Sequence, residues 1–494
     1  MQWTDELRYL PYSKWSAAKL LELQHQAANS KYQLKYHIRP ISGLLNDPNG
    51  FSYFNDKWHV FYQAYPFGAV HGVKSWVHLQ SDDLVHWENI GLAIEPDTIY
   101  DSHGAYSGSA CQIDDKLFLM YTGNVRDKDW VRHPYQNGAW MDKDNNITKL
   151  KEPLFAQSEH TTDHFRDPQL LKIADRYFAI LGAQDKETTR GKIAIFSTTD
   201  FKNWQDHGYL DMLDLDFGYM IECPNLVFVD DHPVLIFCPQ GIAKENLDYQ
   251  NIYPNAYLVG KNIDLENAQF TPSDSKLHNL DEGFDVYASQ AFNAPDGKAY
   301  MISWVGLPEI AYPTDAENWA HCLSVVKELT YQDGHLLQKP VKTMTSLRHN
   351  ETTLQGMTEA KRTDLYKPKQ NQYEIQLTLA ADSNGTLHLA GDDQLEHSLQ
   401  LHFDTKDGKL CLDRSKLDLI FAEEWGMTRT ITLPKHQELQ LQILIDHSLC
   451  EIFVNGGQKV LTARFFNKPK NTQVSLISEA KMRYTGKCWE LFNM

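Results

Sequence analysis

The feature that most constrains the fold is a long succession of short β-strand patterns separated by tight turns. Between about residues 36 and 340, apolar runs rich in aromatic and β-branched residues alternate with Asp, Asn and Gly pairs typical of turns. The clearest of these runs begin at Trp58, Lys116, Tyr177 and Val234. Helical periodicity is confined to residues 13–29. The pattern therefore predicts an all-β protein with a short N-terminal helical segment.

Two series of residues indicate that the strands repeat in units of roughly 58 positions. The element Asp-(Leu/Phe)-x-x-Trp occurs at Asp83 and again at Asp200, two units later. Acids that precede or open a β run recur at a similar pace, at Asp47, Asp101, Asp167, Glu222 and Asp285. Such spacing is typical of β-propeller blades, whose first strands line a central axis. One acid per blade would then converge there, although Asp also precedes strands simply because it favours turns.

The last third of the chain has a different pattern. From about residue 350, polar and apolar residues alternate in several successive runs, as expected of strands with one buried face in a β-sandwich. A length of 494 residues also exceeds what one core usually supports. We therefore expect an N-terminal helical extension over residues 1–35, a five-bladed β-propeller over 36–345 and a β-sandwich over 346–494.

Charge and composition exclude several classes of partner. The formal net charge is −18 and no cluster of Lys and Arg provides a basic face, which argues against nucleic-acid binding. No apolar stretch is long enough to span a membrane, and the N-terminus lacks a signal-peptide pattern. The seven cysteines form no CxxC pair and no zinc pattern. We expect a cytoplasmic protein without metal or cofactor, and the sequence leaves its oligomeric state open.

Three short motifs carry candidate catalytic acids. They are Asn46-Asp47-Pro48-Asn49-Gly50, Arg166-Asp167-Pro168 and Glu222-Cys223-Pro224. Each alone is a common turn sequence, but their joint order and blade-like spacing favour a functional role. Proline disfavours helical backbone in the residue before it, so extended conformations are predicted for Asp47 and Asp167. Cys223 has no His partner in sequence and is expected to be a buried structural thiol.

These motifs resemble those of a known family. The run from Tyr36 to Gly50 resembles the opening motif of glycoside hydrolase family 32, which contains invertases, inulinases and sucrose-6-phosphate hydrolases. Further matches in the same order are Tyr106–Ala110, Phe165–Pro168, Glu222–Cys223 and Glu451–Gly456. The resemblance implies a five-bladed propeller that bears the active site, followed by a β-sandwich. It also implies a retaining β-fructofuranosidase that acts on a small-molecule sugar.

The resemblance assigns a role to each acid. Asp47 would be the nucleophile, Glu222 the acid/base, and Asp167 would hold fructose hydroxyls and stabilise the transition state. A retaining mechanism needs two carboxyl groups about 5–5.5 Å apart, one ionised and one protonated. Crowded acids raise the pKa of at least one member, and Arg166 lowers the pKa of whichever acid it contacts. We therefore expect a raised pKa for Glu222 and a depressed pKa for Asp47.

The resemblance also implies a fructose pocket. Its matching positions are Asn46, Gln63, Trp76, Tyr106, Ser107, Asp285 and Trp304. Arg166 is counted with these substrate-binding residues because it adjoins a catalytic acid. Trp76 and Trp304 lie in apolar runs, so a core position is the alternative for both.

One departure from the secreted invertases bears on the substrate. The stretch His71-Gly72-Val73-Lys74 resembles the sucrose-6-phosphate hydrolase branch, in which a cation would contact a phosphate on the leaving glucose. Arg132 and His133 are further candidates, with a solvated surface role as the alternative for Arg132. Free sucrose and short fructo-oligosaccharides stay open as substrates, as does fructosyl transfer. A non-catalytic carbohydrate-binding propeller is the alternative from another class.

Overall fold

The computed structural model describes residues 2–492 and is built almost entirely of β-strands. Two helices precede them, α1 (Asp5–Arg8) and α2 (Ala17–Ala28). The Ser16 hydroxyl caps α2 by accepting a hydrogen bond from the backbone N–H of Lys19 at 3.1 Å. The helix predicted over residues 13–29 therefore starts later than expected. Within residues 2–492, the 3₁₀ turns are Tyr12–Lys14, Pro313–Glu317, Lys342–Leu347, Glu423–Trp425 and Asn455–Gly457.

The first 24 strands of the described chain form five sheets, which are antiparallel except for the pairing of β21 with β1. Their bounds are β1 (Gly43–Phe54), β2 (Lys57–Tyr65), β3 (Ser75–Ser81), β4 (Trp87–Ile94), β5 (Ala105–Ile113), β6 (Lys116–Arg126), β7 (Arg132–Met141), β8 (Ile147–Lys149), β9 (Phe155–Ala156), β10 (Thr161–Ile173), β11 (Arg176–Asp185), β12 (Gly191–Thr198), β13 (Gln205–Tyr209), β14 (Met220–Val229), β15 (His232–Gln240), β16 (Ala256–Asp264), β17 (Gln269–Pro272), β18 (His278–Asn279), β19 (Val286–Asn293), β20 (Ala299–Val305), β21 (Trp319–Ala320), β22 (Cys322–Leu323), β23 (Lys327–Gln332) and β24 (His335–Pro340).

These sheets are the five blades of a propeller. Each contains a four-stranded meander, running β1–β4, β5–β8, β10–β13, β14–β17 and β19-β20-β23-β24, and every blade but the third has one short additional strand. The first strands of neighbouring blades contact one another in a ring, which places them around the central axis. β21 pairs in parallel with β1, from Gly43 opposite Trp319, so a late segment of the propeller closes on its first blade.

The remaining strands form two six-stranded sheets. Their bounds are β25 (Arg348–Met357), β26 (Arg362–Tyr366), β27 (Gln372–Leu379), β28 (Asn384–Gly391), β29 (Leu399–Asp404), β30 (Lys409–Asp413), β31 (Thr428–Thr432), β32 (Leu439–Asp446), β33 (Leu449–Val454), β34 (Lys459–Arg464), β35 (Gln473–Ser478) and β36 (Arg483–Leu491). The strand orders are β25-β36-β27-β32-β33-β34 and β26-β35-β28-β29-β30-β31. Alternating apolar residues of both sheets lie in one core, as in a sandwich. The architecture confirms the predicted propeller followed by a β-sandwich.

The repeated Asp-(Leu/Phe)-x-x-Trp element has a structural explanation. Asp83 lies between β3 and β4, and its carboxylate accepts the backbone N–H groups of Val85 and His86. Asp200 lies between β12 and β13 and accepts those of Lys202 and Asn203 in the same way. The element is thus an Asp-capped turn at the same place in the first and third blades.

The innermost strand of every blade carries a register shift. The shifts lie between Leu45 and Pro48, Ala105 and Gly108, Arg166 and Gln169, Glu222 and Asn225, and Tyr287 and Gln290. Bulges of this kind redirect side chains beside active sites. Asp167 adopts φ = 66° at its bulge, so the extended backbone predicted for this pre-proline residue is wrong. The bulge overrides the preference that proline imposes.

Candidate active site

One pocket of about 240 Å³ opens at the end of the axis where the inner strands bulge. Asp47 from β1, Asp167 from β10 and Glu222 from β14 all line it. Below them the axis is nearly closed, with only about 10 Å³ of free space among the packed inner strands. The structure therefore brings together three acids that are far apart in sequence.

Glu222 is held by three neighbouring side chains. Arg166 donates from Nε at 3.0 Å and from Nη2 at 2.6 Å to Oε1. Gln240 and the Tyr287 hydroxyl donate to Oε2 at 2.8 Å and 2.7 Å. Burial alone would raise the pKa of Glu222, but the Arg166 charge and the Tyr287 hydrogen bond outweigh it and hold the pKa below its ordinary value. Glu222 is oriented as an anion.

Asp47 lies in a less compensated position. The Ser107 hydroxyl donates to its Oδ2, and the Asn46 amide donates to Oδ1 at 3.0 Å. Burial raises the pKa of Asp47, these hydrogen bonds oppose it, and the nearby Glu222 charge adds to the rise. The net result is a pKa above the ordinary value for Asp.

Asp167 lines the same pocket as the other two acids and has a similar imbalance. It accepts the backbone N–H of Cys223 at 3.1 Å. Burial raises its pKa to about 7, although the Arg166 charge opposes the rise. The Cys223 thiol lies 3.5 Å from Oδ2 of Asp47 and 3.6 Å from Oδ2 of Asp167. Burial also raises the pKa of Cys223 well above its usual range, so this residue remains a neutral thiol.

The order of acidities is the reverse of the one expected from sequence. Glu222 has the lowered pKa, and Asp47 has the raised one. The reason is the direction of the Arg166 side chain, which forms its ion pair with Glu222. Arg166 lowers the pKa of the acid that it contacts, as predicted, but that acid is Glu222 and not Asp47.

The His-Gly-x-Lys stretch lines the pocket wall. Lys74 is buried and donates to the Asn46 side-chain oxygen at 2.7 Å, and burial lowers its pKa to about 7. The His71 ring is partly buried, and burial lowers its pKa well below the usual range. Both side chains line the pocket, and a contact between this stretch and a phosphate stays a prediction.

The other predicted pocket residues divide into two groups. Asn46, Gln63, Tyr106, Arg166 and Trp304 line the pocket, and Ser107 lies at its floor against Asp47. Trp76 does not: it is fully buried in the first blade, and its indole N–H donates to the Tyr106 carbonyl at 2.9 Å. The core alternative is therefore correct for Trp76.

Two acids of the repeating series also lie outside the pocket. Asp285 is buried, accepts the Tyr312 hydroxyl at 3.1 Å and lies 3.6 Å from Arg414 of the sandwich, so its assignment as a pocket residue is wrong. Asp101 forms an ion pair with Lys149 at 2.7 Å in the second blade. The convergence of acids on the axis thus holds for three of the five, and the other two serve local structure.

Sequence reasoning missed several pocket residues. They are Tyr9, Gln240, Tyr253, Tyr287 and Glu309. Tyr287 follows Asp285 by two positions, at the start of the fifth inner strand, where the blade period would have found it. Because Tyr287 is not an acid, the series of repeating acids did not include it.

Tyr9 reaches the pocket because the N-terminal segment packs against the first blade. The Arg8 carbonyl accepts the backbone N–H of Val73 at 2.8 Å. Farther along, the Tyr12 hydroxyl donates to Ser75 at 2.9 Å. The segment is thereby fixed beside the His71–Lys74 stretch and contributes one wall of the pocket.

Neither a metal-ligand cluster nor a membrane-spanning helix is found in the part of the chain that the structure describes. No group of three or more His, Cys, Asp and Glu side chains between residues 2 and 492 could hold a metal ion. No helix in that range is long and apolar enough to cross a bilayer.

A propeller axis bearing three clustered carboxylates in a sugar-sized pocket is the arrangement of a glycoside hydrolase. Comparison with known proteins identifies the family. The model of the glycosyl hydrolases family 32 N-terminal domain matches residues 37–340, and that of the family 32 C terminal matches residues 343–490. The chain belongs to glycoside hydrolase family 32.

Relatives of known name agree with this assignment. A sucrose-6-phosphate hydrolase of Pediococcus pentosaceus is 48% identical over 491 residues, covering 99% of this chain and 97% of the relative. The structure of a sucrose-6-phosphate hydrolase from Lactobacillus gasseri superposes with a TM-score of 0.96 at 54% identity, covering 99% of both chains. A GH32 beta-fructofuranosidase from Bombyx mori superposes with a TM-score of 0.82 at 26% identity, covering 97% of this chain and 99% of the other.

Proposed function

We propose that the protein hydrolyses the β-fructofuranosyl bond of sucrose 6-phosphate and of sucrose, with retention of configuration. The observation that carries the proposal is the clustering of Asp47, Asp167 and Glu222 around one pocket. The names of the most similar relatives support a phosphorylated disaccharide as substrate.

Asp47 is the proposed nucleophile. Its carboxylate attacks the anomeric carbon of fructose while the bond from that carbon to the glucosyl oxygen breaks. Glu222 gives its proton to the departing oxygen, and later takes one from the water that releases fructose. Asp167, next to both acids, accepts hydrogen bonds from fructose hydroxyls as positive charge develops on the ring. No cofactor takes part in these steps.

The reactive state requires a proton on Glu222 and none on Asp47. Because the acids of the pocket lie close enough to influence one another's ionisation, their protons belong to the cluster as a whole. The Arg166–Glu222 ion pair makes the reactive arrangement a minority state of that cluster. The raised pKa of Asp167, caused by burial, favours a proton within this cluster.

The stereochemical outcome tests the mechanism. ¹³C NMR of sucrose hydrolysis at early times should show the β-anomer of fructofuranose before mutarotation. Mass spectrometry of quenched reactions should find a fructosyl adduct on the peptide that contains Asp47, and Asp47→Asn should lack it. Initial release of the α-anomer would contradict the retaining mechanism.

The same experiment separates the rivals. A non-catalytic propeller would give no fructose from either sucrose or sucrose 6-phosphate. Hydrolysis and fructosyl transfer share the fructosyl-enzyme and differ in the acceptor that takes the fructosyl group. A fructosyltransferase would therefore form longer saccharides at high sucrose in place of free fructose.

We also propose that the enzyme acts in the cytoplasm. All seven cysteines are free thiols, as is usual where disulfides are kept reduced. A phosphorylated sugar is also an intracellular metabolite, since uptake coupled to phosphorylation delivers it there. Detection of the enzyme by immunoblot in the cytosolic fraction, and not in the medium, tests this location.

A further inference from the structure

Several cationic side chains gather at one edge of the pocket. The chain as a whole carries a net charge of −18, so a local excess of positive charge is notable. Arg126 and Arg132 are directly opposite each other at the end of the β6–β7 hairpin. The Arg132 guanidinium is close enough to Arg126 and Arg166 that their charges help to lower its pKa, after the larger effect of burial.

Arg126 and Arg132 differ from the neighbouring Arg166 in their partners. Arg166 is paired with Glu222. Neither of the other two forms an ion pair with a carboxylate within residues 2–492, and the Nε of each is buried without an acceptor. The only acceptor that Arg126 finds for its guanidinium in that range is the Trp130 carbonyl, at 2.9 Å. A buried donor without an acceptor is costly, so both guanidinium groups are poised for an external acceptor.

The two arginines are connected to the pocket through Tyr9. Tyr9 lines the pocket, and its phenol is near enough to Arg126 and Arg132 for both charges to oppose the burial-driven rise in its pKa. The Tyr9 ring lies 5.2 Å from the Trp130 ring and 5.8 Å from the His103 ring. We call these five residues, Tyr9, His103, Arg126, Trp130 and Arg132, the cationic rim.

The pocket also has a carboxylate outside the cationic rim. Glu309 lines the pocket and accepts the Tyr253 hydroxyl at 2.6 Å. Asp163 influences the Arg132 pKa, and Asp127, in the loop between the two arginines, pairs with His133 at 2.9 Å. An anionic substituent entering the pocket is attracted to the two guanidinium groups and repelled by Glu309.

We infer that the cationic rim binds the phosphate of the leaving glucose 6-phosphate unit while the fructosyl unit occupies the acid trio. This inference rests on the proposed function and adds the phosphate-binding residues to it. A phosphomonoester near neutral pH carries a charge between −1 and −2 and three acceptor oxygens, which match the forked donors of two guanidinium groups. Tyr9, a flat ring between rim and pocket, would contact the glucose ring.

Kinetics with two substrates test the inference. The quantity to measure is the ratio of kcat/KM for sucrose 6-phosphate to kcat/KM for sucrose. A charge-assisted hydrogen bond is worth enough that R132Q and R126Q should each lower this ratio by about 10- to 100-fold. K128Q is the matched control, because Lys128 has the same charge on the same hairpin but is exposed to solvent. Its ratio should stay within about twofold of wild type.

The outcomes separate this inference from the proposed function. An unchanged ratio in R132Q and R126Q, or a wild-type ratio near one with sucrose still cleaved, would overturn the rim and leave the β-fructofuranosidase standing. Failure to cleave either substrate would overturn the proposed function instead. Calorimetry with glucose 6-phosphate and glucose then tests the rim without catalysis. Tighter binding of the phosphorylated sugar, lost in R132Q, is the expected result, and equal binding of both sugars to the wild type would overturn the inference.

Discussion

Two groups of buried acids in this molecule have opposite environments. At the contact between propeller and sandwich, the His37 ring lies 3.0 Å from Asp446 and 2.9 Å from Glu451, and all three side chains are fully buried. Lys327 lies 3.5 Å from the other Glu451 oxygen. Two cationic groups therefore match two carboxylates. At the propeller axis, three carboxylates share the guanidinium of Arg166 and the amine of Lys74, whose pKa is lowered to about 7 by burial, so that its positive charge is only partial near neutral pH.

The pKa values follow this difference. Burial opposes ionisation of Asp446 and Glu451, yet the partner cations and hydrogen bonds hold the pKa of both below the ordinary values. Burial also opposes the charge on His37, but the hydrogen bonds and negative charges of Asp446 and Glu451 outweigh it and raise the pKa of His37 to about 9. In the pocket, burial prevails at Asp47 and Asp167. A balanced buried cluster holds the two domains together, whereas an unbalanced one retains protons that chemistry can use.

The largest effect should come from neutralising an acid of the pocket. Asp47→Asn and Glu222→Gln are each expected to lower kcat on sucrose by about 10⁴-fold or more, because each removes a group that forms or breaks a bond. The melting temperature should stay equal or rise in Asp47→Asn, because the raised pKa of Asp47 shows that its charge is poorly compensated. It should fall in Glu222→Gln, because Arg166 then loses its ion-pair partner. Steady-state kinetics and calorimetry on the same preparations measure both.

Asp101 provides the control for that prediction. It is a buried acid of the same repeating series, but its partners are Lys149 and the Tyr121 hydroxyl, at 2.7 Å and 2.8 Å. Asp101→Asn should lower the melting temperature and leave kcat per folded molecule within a few-fold of wild type. A loss of activity comparable to that of Asp47→Asn would show that burial of any acid, and not its place at the axis, explains the effect.

The second effect concerns the cluster between the domains. Glu451→Gln leaves His37 and Lys327 with one carboxylate fewer, and breaking a buried pair typically costs about 3–5 kcal/mol. Urea unfolding should show this loss, while kcat per folded molecule stays close to wild type. Glu438→Gln, in an exposed pair with Arg483, should cost less than about 1 kcal/mol. Equal losses in the two variants would show that the buried cluster contributes no more to stability than an exposed ion pair.

The third effect is a pH dependence of stability. The pKa of His37 is raised to about 9 in the folded protein, above the value near 6.5 expected when unfolded. Its contribution is therefore complete below pH 6.5 and is lost as the pH rises through 9, by roughly 3 kcal/mol. The free energy of unfolding, measured at intervals from pH 6 to pH 9.5, should decline in wild type more than in His37→Gln. Parallel pH profiles would show that the ring is not charged in the cluster.

Local sequence was enough to identify the three acids, because each lies in a short motif whose spacing matches a blade. Local sequence did not show that Asp101 and Asp285 lie outside the pocket, because their spacing fits the blades equally well. What separates them is the partner brought by another part of the fold, Lys149 in one case and Arg414 in the other. Distance along the chain carries no information about such a partner.

The same limit explains the inverted acidities and the role of Glu451. The motif shows that Arg166 adjoins Asp167, but only the bulge between Arg166 and Gln169 determines which acid its side chain reaches. The Glu451–Gly456 run was identified by resemblance alone, and its partner His37 lies more than 400 positions earlier. The alternating strand patterns, by contrast, predicted the sandwich, because burial on one face is a local property. The propeller was predicted from the repeat spacing, which is also read directly along the chain.

The smallest effect concerns one hydrogen bond in the unbalanced cluster. The Tyr287 hydroxyl donates to Glu222 at 2.7 Å and helps to lower its pKa. Tyr287→Phe should therefore raise the pKa of Glu222, by less than about one unit for a single hydrogen bond. Tyr253→Phe is the matched control, because Tyr253 also lines the pocket but donates to Glu309.

The pH profile of kcat/KM for Tyr287→Phe shows whether Glu222 or Asp47 has the lower pKa, because the substitution should move only the limb that belongs to Glu222. In the structure Glu222, the proposed acid, has the lower pKa, and Asp47, the proposed nucleophile, has the higher one. The acidic limb of kcat/KM against pH then belongs to Glu222. Tyr287→Phe should move that limb to higher pH and enlarge the fraction of molecules in the reactive state. Movement of the alkaline limb alone would mean that Glu222 holds its proton more strongly than Asp47, and the contrast between a balanced and an unbalanced cluster would then need a different electrostatic explanation.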